Sequence, residues 1–208
     1  VFGVYENAKL RRPWRLATVH DRTEDELAVS LDGLLAQEDL SLSDLDALVV
    51  GSVVPPLTTA FSRLAERYLE RPAFVIGPGI KTGISIKMDN PKEVGADRIV
   101  NAVAVFAKHQ RAAIVVDFGT ATTFDYVSSA GDYMGGVIAP GVNISAEALF
   151  RQASKLPRIE IAKPATVIGK NTVAAMQSGL FYGYVALVEG IIERIRKEPV
   201  PAEELLER

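Results

Sequence analysis

Between residues 114 and 141 the chain switches repeatedly between apolar runs and small polar turns. Ile114-Val115-Val116 is apolar and ends on the carboxylate of Asp117. Gly119-Thr120-Ala121-Thr122-Thr123 follows as a small, hydroxyl-bearing turn. The chain then alternates as a second strand, turns at Ala130-Gly131-Asp132, and runs apolar again into Gly135-Gly136. This pattern predicts a three-strand meander. Upstream, residues 2–5 and 13–17 predict a hairpin joined through Glu6-Asn7-Ala8-Lys9. Thr23 and Glu26 have capping-box spacing and open a helix toward Leu35. Residues 47–54 predict a buried strand stopped by Pro55-Pro56. Apolar positions at Leu57, Phe61, Leu64, Ala65 and Tyr68 predict a helix over 57–69.

Residues 73–76 predict another strand, followed by the glycine-rich Gly77-Pro78-Gly79, and 84–88 a short extended segment. Asn90-Pro91 predicts a helix start, Asn as cap and Pro in the first turn, with the helix reaching about His109. Residues 143–154 read as helical and 159–161 as extended. Asn171 caps a long helix from Thr172 to about Lys197, with apolar positions at Leu180, Tyr184, Leu187, Val188, Ile191 and Ile195. The order is that of an alternating α/β protein with antiparallel meanders. Residues 124–133 and 2–10 look alike as the second strand and turn of such a meander, an internal repeat. The chain opens on Val1 inside a strand-like segment and closes on a charged, proline-flanked tail from 199 to 208. Both ends are therefore expected to be incomplete.

Composition narrows the function classes. Hydrophobic residues are 48% and charged residues 24% of the 208, which allows a packed core. No lysine- or arginine-rich block is present, so nucleic acid is not expected as a partner. With no cysteine, disulfides, thiolate zinc sites and cysteine nucleophiles are excluded. No apolar run is read as approaching membrane-spanning length and no signal peptide is visible, so a soluble cytoplasmic protein without a membrane partner is expected.

The residues alone leave two readings open at each candidate position. Asp117 with Gly119 and Thr120 suits a nucleotide-phosphate hairpin: glycine admits close backbone donors, threonine adds hydroxyls, and a strand-end carboxylate can hold a cation. An ordinary meander also needs Gly and Asp in its turns. Asp97 could serve as a general base and Arg98 as a carboxylate clamp beside Gly95, or the two could be a surface pair of little energetic value. Ala139-Pro140-Gly141, ahead of a helix with Ser145 and Glu147, and Lys170-Asn171-Thr172 at a helix start could each face an anion, or simply make a turn and a cap. His20 and His109 have no partners at triad or metal spacing.

Gly95-Ala96-Asp97-Arg98, Asp117 to Asp125, Gly135 to Gly141, Ser145 to Phe150 with Lys155-Leu156-Pro157, and Ile168 to Val173 occur in that order. With Ser52-Val53-Val54-Pro55-Pro56 and residues 77–83, they closely resemble the type III pantothenate kinase family over residues 2 to about 196. The resemblance implies an acetate and sugar kinase/Hsp70/actin-like (ribonuclease H-like) fold of duplicated α/β domains. Residues 1–90 would form one, lacking its first strand, and 91–208 the other, lacking its last strand and helix. It implies ATP-dependent phosphorylation of pantothenate, the first step of coenzyme A biosynthesis, by a homodimer needing Mg2+ and a monovalent cation such as K+ or NH4+.

By position, Asp97 resembles the family's base. Gly95, Ala96, Asp97 and Arg98 resemble its substrate-binding run, with Thr172 a further pantothenate contact. Asp117 resembles the cation ligand, and Gly119 and Thr120 the nucleotide contacts. This requires Asp97 and Asp117 to share one cleft. The family's amino-terminal phosphate loop, an Asp followed by Gly-Asn-Thr, and its carboxy-terminal adenosine segment have no counterpart here, and Met88 stands where many members carry Tyr. Two other readings are a non-catalytic transcriptional accessory relative and a different phosphotransferase or phosphohydrolase on the same fold. The apolar helices after Asn90 and Thr172 are expected to contribute to the dimer interface.

Overall fold

A computed structural model of the chain describes residues 1–77 and 80–198. Pro78 and Gly79 of the glycine-rich run, and the tail 199–208, lie outside the described residues. The chain divides into two compact units, Val1–Ile80 with Lys92–Val100, and Lys81–Pro91 with Asn101–Arg208.

In the first unit β1 (Phe2–Glu6) and β2 (Lys9–Trp14) pair antiparallel. The turn needs only Asn7 and Ala8, at φ 50° and 63°. Two left-handed central residues match the twist of a hairpin, which is why β2 starts at Lys9 rather than at Pro13. Helix α1 (Glu24–Leu35) has the expected capping box: the Thr23 hydroxyl accepts from the Glu26 amide, and the Glu26 carboxylate accepts from the Thr23 amide at 2.9 Å. These bonds hold the Glu26 carboxyl below the usual range, the Thr23 backbone donor being the largest cause. Leu27, Leu31 and Leu35 form the buried stripe.

Strand β3 (Val49–Gly51), helix α2 (Pro55–Tyr68) and strand β4 (Phe74–Ile76) follow, with β3 and β4 parallel. Pro55 and Pro56 open α2 instead of merely stopping the strand. In the first turn their missing N–H groups would have had no helical acceptor. α1, α2 and β3 close the core through Leu31, Val50, Phe61 and Leu64, and Phe2 leans on the Phe61 ring at 5.7 Å.

Helix α3 (Ala96–His109) starts later than its proline signal implied. A short 3-10 turn occupies Pro91–Glu93, and the helix begins when the Gly95 carbonyl accepts from the amides of Arg98 and Ile99, both at 3.1 Å. In the second unit β5 (Ala113–Phe118), β6 (Ala121–Val127) and β7 (Tyr133–Pro140) form the expected meander in that order. Ile86 bridges Tyr133 in parallel, placing the extended 84–88 segment on β7. The Tyr133 hydroxyl donates to Asp125 at 2.7 Å, and both residues are fully buried. Residues 159–161 join no sheet.

Helices α4 (Val142–Gln152) and α5 (Thr172–Lys197) complete the second unit. By length and composition α5 is long and apolar enough to cross a membrane, a test that the core helix of a soluble protein also meets. Its apolar residues are spread between glycines and alanines, so no single stretch stands out in the sequence.

Leu64 is completely buried. Leu64→Ala should destabilise the protein by about 2–5 kcal/mol, read as a lower urea midpoint with an unchanged slope.

Candidate functional site

Gly95, Ala96, Asp97 and Arg98 belong to the first unit, at the start of α3. Ala96, Ile99 and Ala102 are buried and hold the helix start in place, while Asp97 is exposed in the first turn and Arg98 is half-buried. The Asp97 carboxylate accepts the Arg98 amide at 2.9 Å through Oδ1, sharing that donor with the Gly95 carbonyl. A Cβ on Gly95 would lie 2.5 Å from that same oxygen and 3.3 Å from Val53. Glycine here leaves room for the carboxylate. Of the four residues Asp97 is the exposed one, with Ala96 buried beneath it and Arg98 immediately beyond the acid.

Asp117, Gly119, Thr120 and Thr172 belong to the second unit. Asp117 is the penultimate residue of β5, half-buried opposite Thr123 of β6. Its Oδ2 accepts from the Asn101 side-chain amide of α3 at 3.2 Å. Gly119 and Thr120 make the turn into β6, closed by the Gly119 amide on the Ala121 carbonyl at 2.9 Å. Gly141 donates to the Thr120 carbonyl at 3.1 Å and caps α4. A Cβ on Gly141 would stand 2.2 Å from the Thr120 carbonyl oxygen and 2.6 Å from that of Gly119. Its φ is an ordinary -70°, so the requirement is space rather than backbone freedom.

Thr172 opens α5 and is exposed. Asn171 caps the helix by accepting from the Ala174 amide at 2.8 Å. Gly169 packs against the same turn, where a Cβ would meet the Ala175 nitrogen at 2.3 Å, and the Ser178 hydroxyl donates to the Val167 carbonyl. The approach to Thr172 is thus fixed by packing and hydrogen bonds. Ser145 and Glu147 take local roles. Ser145 pairs with the Tyr184 hydroxyl at 2.6 Å, and Tyr184 donates to the Pro140 carbonyl at 2.9 Å. Glu147 is held by Arg158 and Arg151, both at 2.8 Å, and these bonds, Arg158 first, lower its carboxyl below the usual range.

Sequence reading missed Asn101 and Tyr184. Asn101 falls one helical turn after Asp97 on α3, which was a usable signal; its contact with a strand 16 residues away was not. Nothing local announces the Tyr184 bonds.

Strands alternating with helices define an α/β protein. Comparison with known proteins makes the class particular. The family model "Type III pantothenate kinase" matches residues 1–194, and the chain belongs to that family. Type III pantothenate kinases from Geotalea uraniireducens and Syntrophotalea carbinolica are 55% and 56% identical to it over 198 residues, 95% of this chain and 77% and 78% of theirs. A crystal structure from Campylobacter jejuni, described as a Baf family transcriptional activator, aligns at TM-score 0.40 and 22% identity over 56% of this chain and 52% of its own. That likeness is too distant to bear on function.

The two glycines predict different failures. Gly95→Ala presses on a movable side chain, so it should lower kcat while leaving the unfolding temperature near that of the parent. Gly141→Ala presses on backbone and should destabilise by about 1–3 kcal/mol, seen as a lower unfolding temperature as well as lost activity.

Proposed function

We propose that the protein transfers the γ-phosphoryl group of ATP to the primary hydroxyl of pantothenate, giving 4'-phosphopantothenate and ADP and opening coenzyme A biosynthesis. The observation that carries this reading is family membership together with Asp97 at an exposed helical turn where Gly95 leaves it space. Asp97 accepts the hydroxyl proton as the oxygen attacks the γ-phosphorus. The new O–P bond forms as the β–γ bridging bond breaks, and ADP leaves. Arg98 binds the pantothenate carboxylate, for which a guanidinium is suited in charge and geometry. Gly95 and Ala96 shape that contact, Thr172 offers a hydroxyl to pantothenate, and Gly119 and Thr120 face the nucleotide.

Asp117 suits a monovalent cation, K+ or NH4+. Its oxygens are hard donors, and its hydrogen-bond partner among the described residues is a neutral amide, so no ion pair cancels its charge. Mg2+ would be held largely through the phosphates. When bound, these cations neutralise charge on the phosphates. The residues' own contribution is to orient the alcohol, take its proton and cradle the triphosphate. A homodimer fits the apolar side chains that the second unit leaves exposed, Ile138, Ile144, Leu149 and Phe150 among them. The duplicated-domain architecture and a cytoplasmic location complete the proposal. α5 is read as a packing helix, consistent with Glu189 and Gln177 on its length.

The test is a coupled assay of ADP release with ATP and pantothenate, with and without KCl. The parent protein should turn over only with both substrates. Asp97→Asn should lose about 10²–10⁴-fold in kcat with an unchanged unfolding temperature. Near-parental turnover of that variant would remove Asp97 from the base role.

A further inference from the structure

Asn101 is the hydrogen-bond partner of the Asp117 side chain among the described residues. It projects from α3, is half-buried, and donates its Nδ2–H to Asp117 Oδ2 at 3.2 Å. Oδ1 of Asp117 takes no hydrogen bond from the described residues. A donor that fixes one oxygen turns the other outward, because the two oxygens of a carboxylate are locked in one plane. The chemistry of the donor matters as much as its position. A lysine or arginine at this place would also orient the carboxylate, but it would cancel the charge that a cation needs. A neutral amide orients without cancelling. Partners of this kind tune ligand geometry and affinity in metal sites generally.

We infer that Asn101 is a positioning residue for the monovalent-cation site, setting its affinity by holding Asp117 with one oxygen free and its charge intact. This rests on the proposed cation role of Asp117 and adds a residue to which no role was given above. Asn101 touches neither substrate nor the reacting atoms, so its effect should appear in cation dependence rather than in chemistry at saturating cation.

The experiment titrates the full-length protein with KCl, against choline chloride at equal ionic strength, in the presence of ATP without pantothenate. The readout is the K+-dependent rise in unfolding temperature, alongside the KCl concentration for half-maximal turnover in the full assay. Asn101→Ala and Asn101→Leu both remove the donor, one leaving space and the other filling it. Each should need about ten-fold or more KCl for the same thermal shift and for half-activation, with kcat at saturating KCl largely kept. Equal loss in both variants marks the missing donor. Parental KCl dependence in either variant, or a lowered unfolding temperature without a change in KCl dependence, would overturn the inference and leave Asn101 a packing residue. Asp117→Asn separates the two levels. If it keeps the parental K+ response, the cation role of Asp117 fails and this inference fails with it. If it loses that response while the Asn101 variants keep it, the inference alone fails.

Discussion

In the second unit two stretches of backbone, the Gly119-Thr120 turn and Gly141, come too close for any side chain but hydrogen. Gly141, at the end of β7, lies against the carbonyls of Gly119 and Thr120 and donates its own amide to one of them. That contact ties the turn between β5 and β6 to the start of α4. It also starts α4 directly from the sheet. An exchange of Gly141 cannot be absorbed by rotating a side chain, because the atoms it would meet are main-chain oxygens. Gly95 in the first unit imposes a softer version of the same constraint, since its neighbour is the end of the Asp97 side chain. Gly95 thus leaves room for the Asp97 carboxylate, and Gly141 for the Gly119-Thr120 turn.

Chemistry follows from how each acid is held. Asp97 sits in an exposed first helical turn with a backbone donor on one oxygen, so it is fixed in direction and open to a ligand. Asp117 is half-buried at a strand end with a neutral amide on one oxygen, so it is oriented by a partner that carries no charge. An acid that is open to its ligand suits proton transfer, and one that is sheltered and uncompensated suits a cation. Phosphoryl transfer needs both tasks and little covalent help from the protein.

Much of this was readable from residues alone where the determinants are local. The capping box of Thr23 and Glu26, the Asn171 cap and the meander from Ala113 to Pro140 depend on neighbours within a few positions, and they stand as the pattern predicts. Local signals misled where one residue serves two functions. Proline ends a strand and also begins a helix, so Pro55 and Pro56 were read for the first role and perform the second. Asn90-Pro91 looked like a helix start, yet the helix waits for the Gly95 carbonyl. The candidate site was legible as a set of motifs because Gly95 to Arg98 and Asp117 to Thr120 are contiguous. Its supporting contacts were not: Asn101 on Asp117 and Tyr184 on Ser145 join residues far apart in the chain, and nothing in either neighbourhood encodes the other.

The most direct test of the central claim is a crystal structure of the protein with a non-hydrolysable ATP analogue and pantothenate bound. The pantothenate primary hydroxyl should lie within about 2.6–3.2 Å of the Asp97 carboxylate, with the γ-phosphate in line beyond it. A complex in which that hydroxyl is held by another group, with Asp97 turned to solvent, would contradict it.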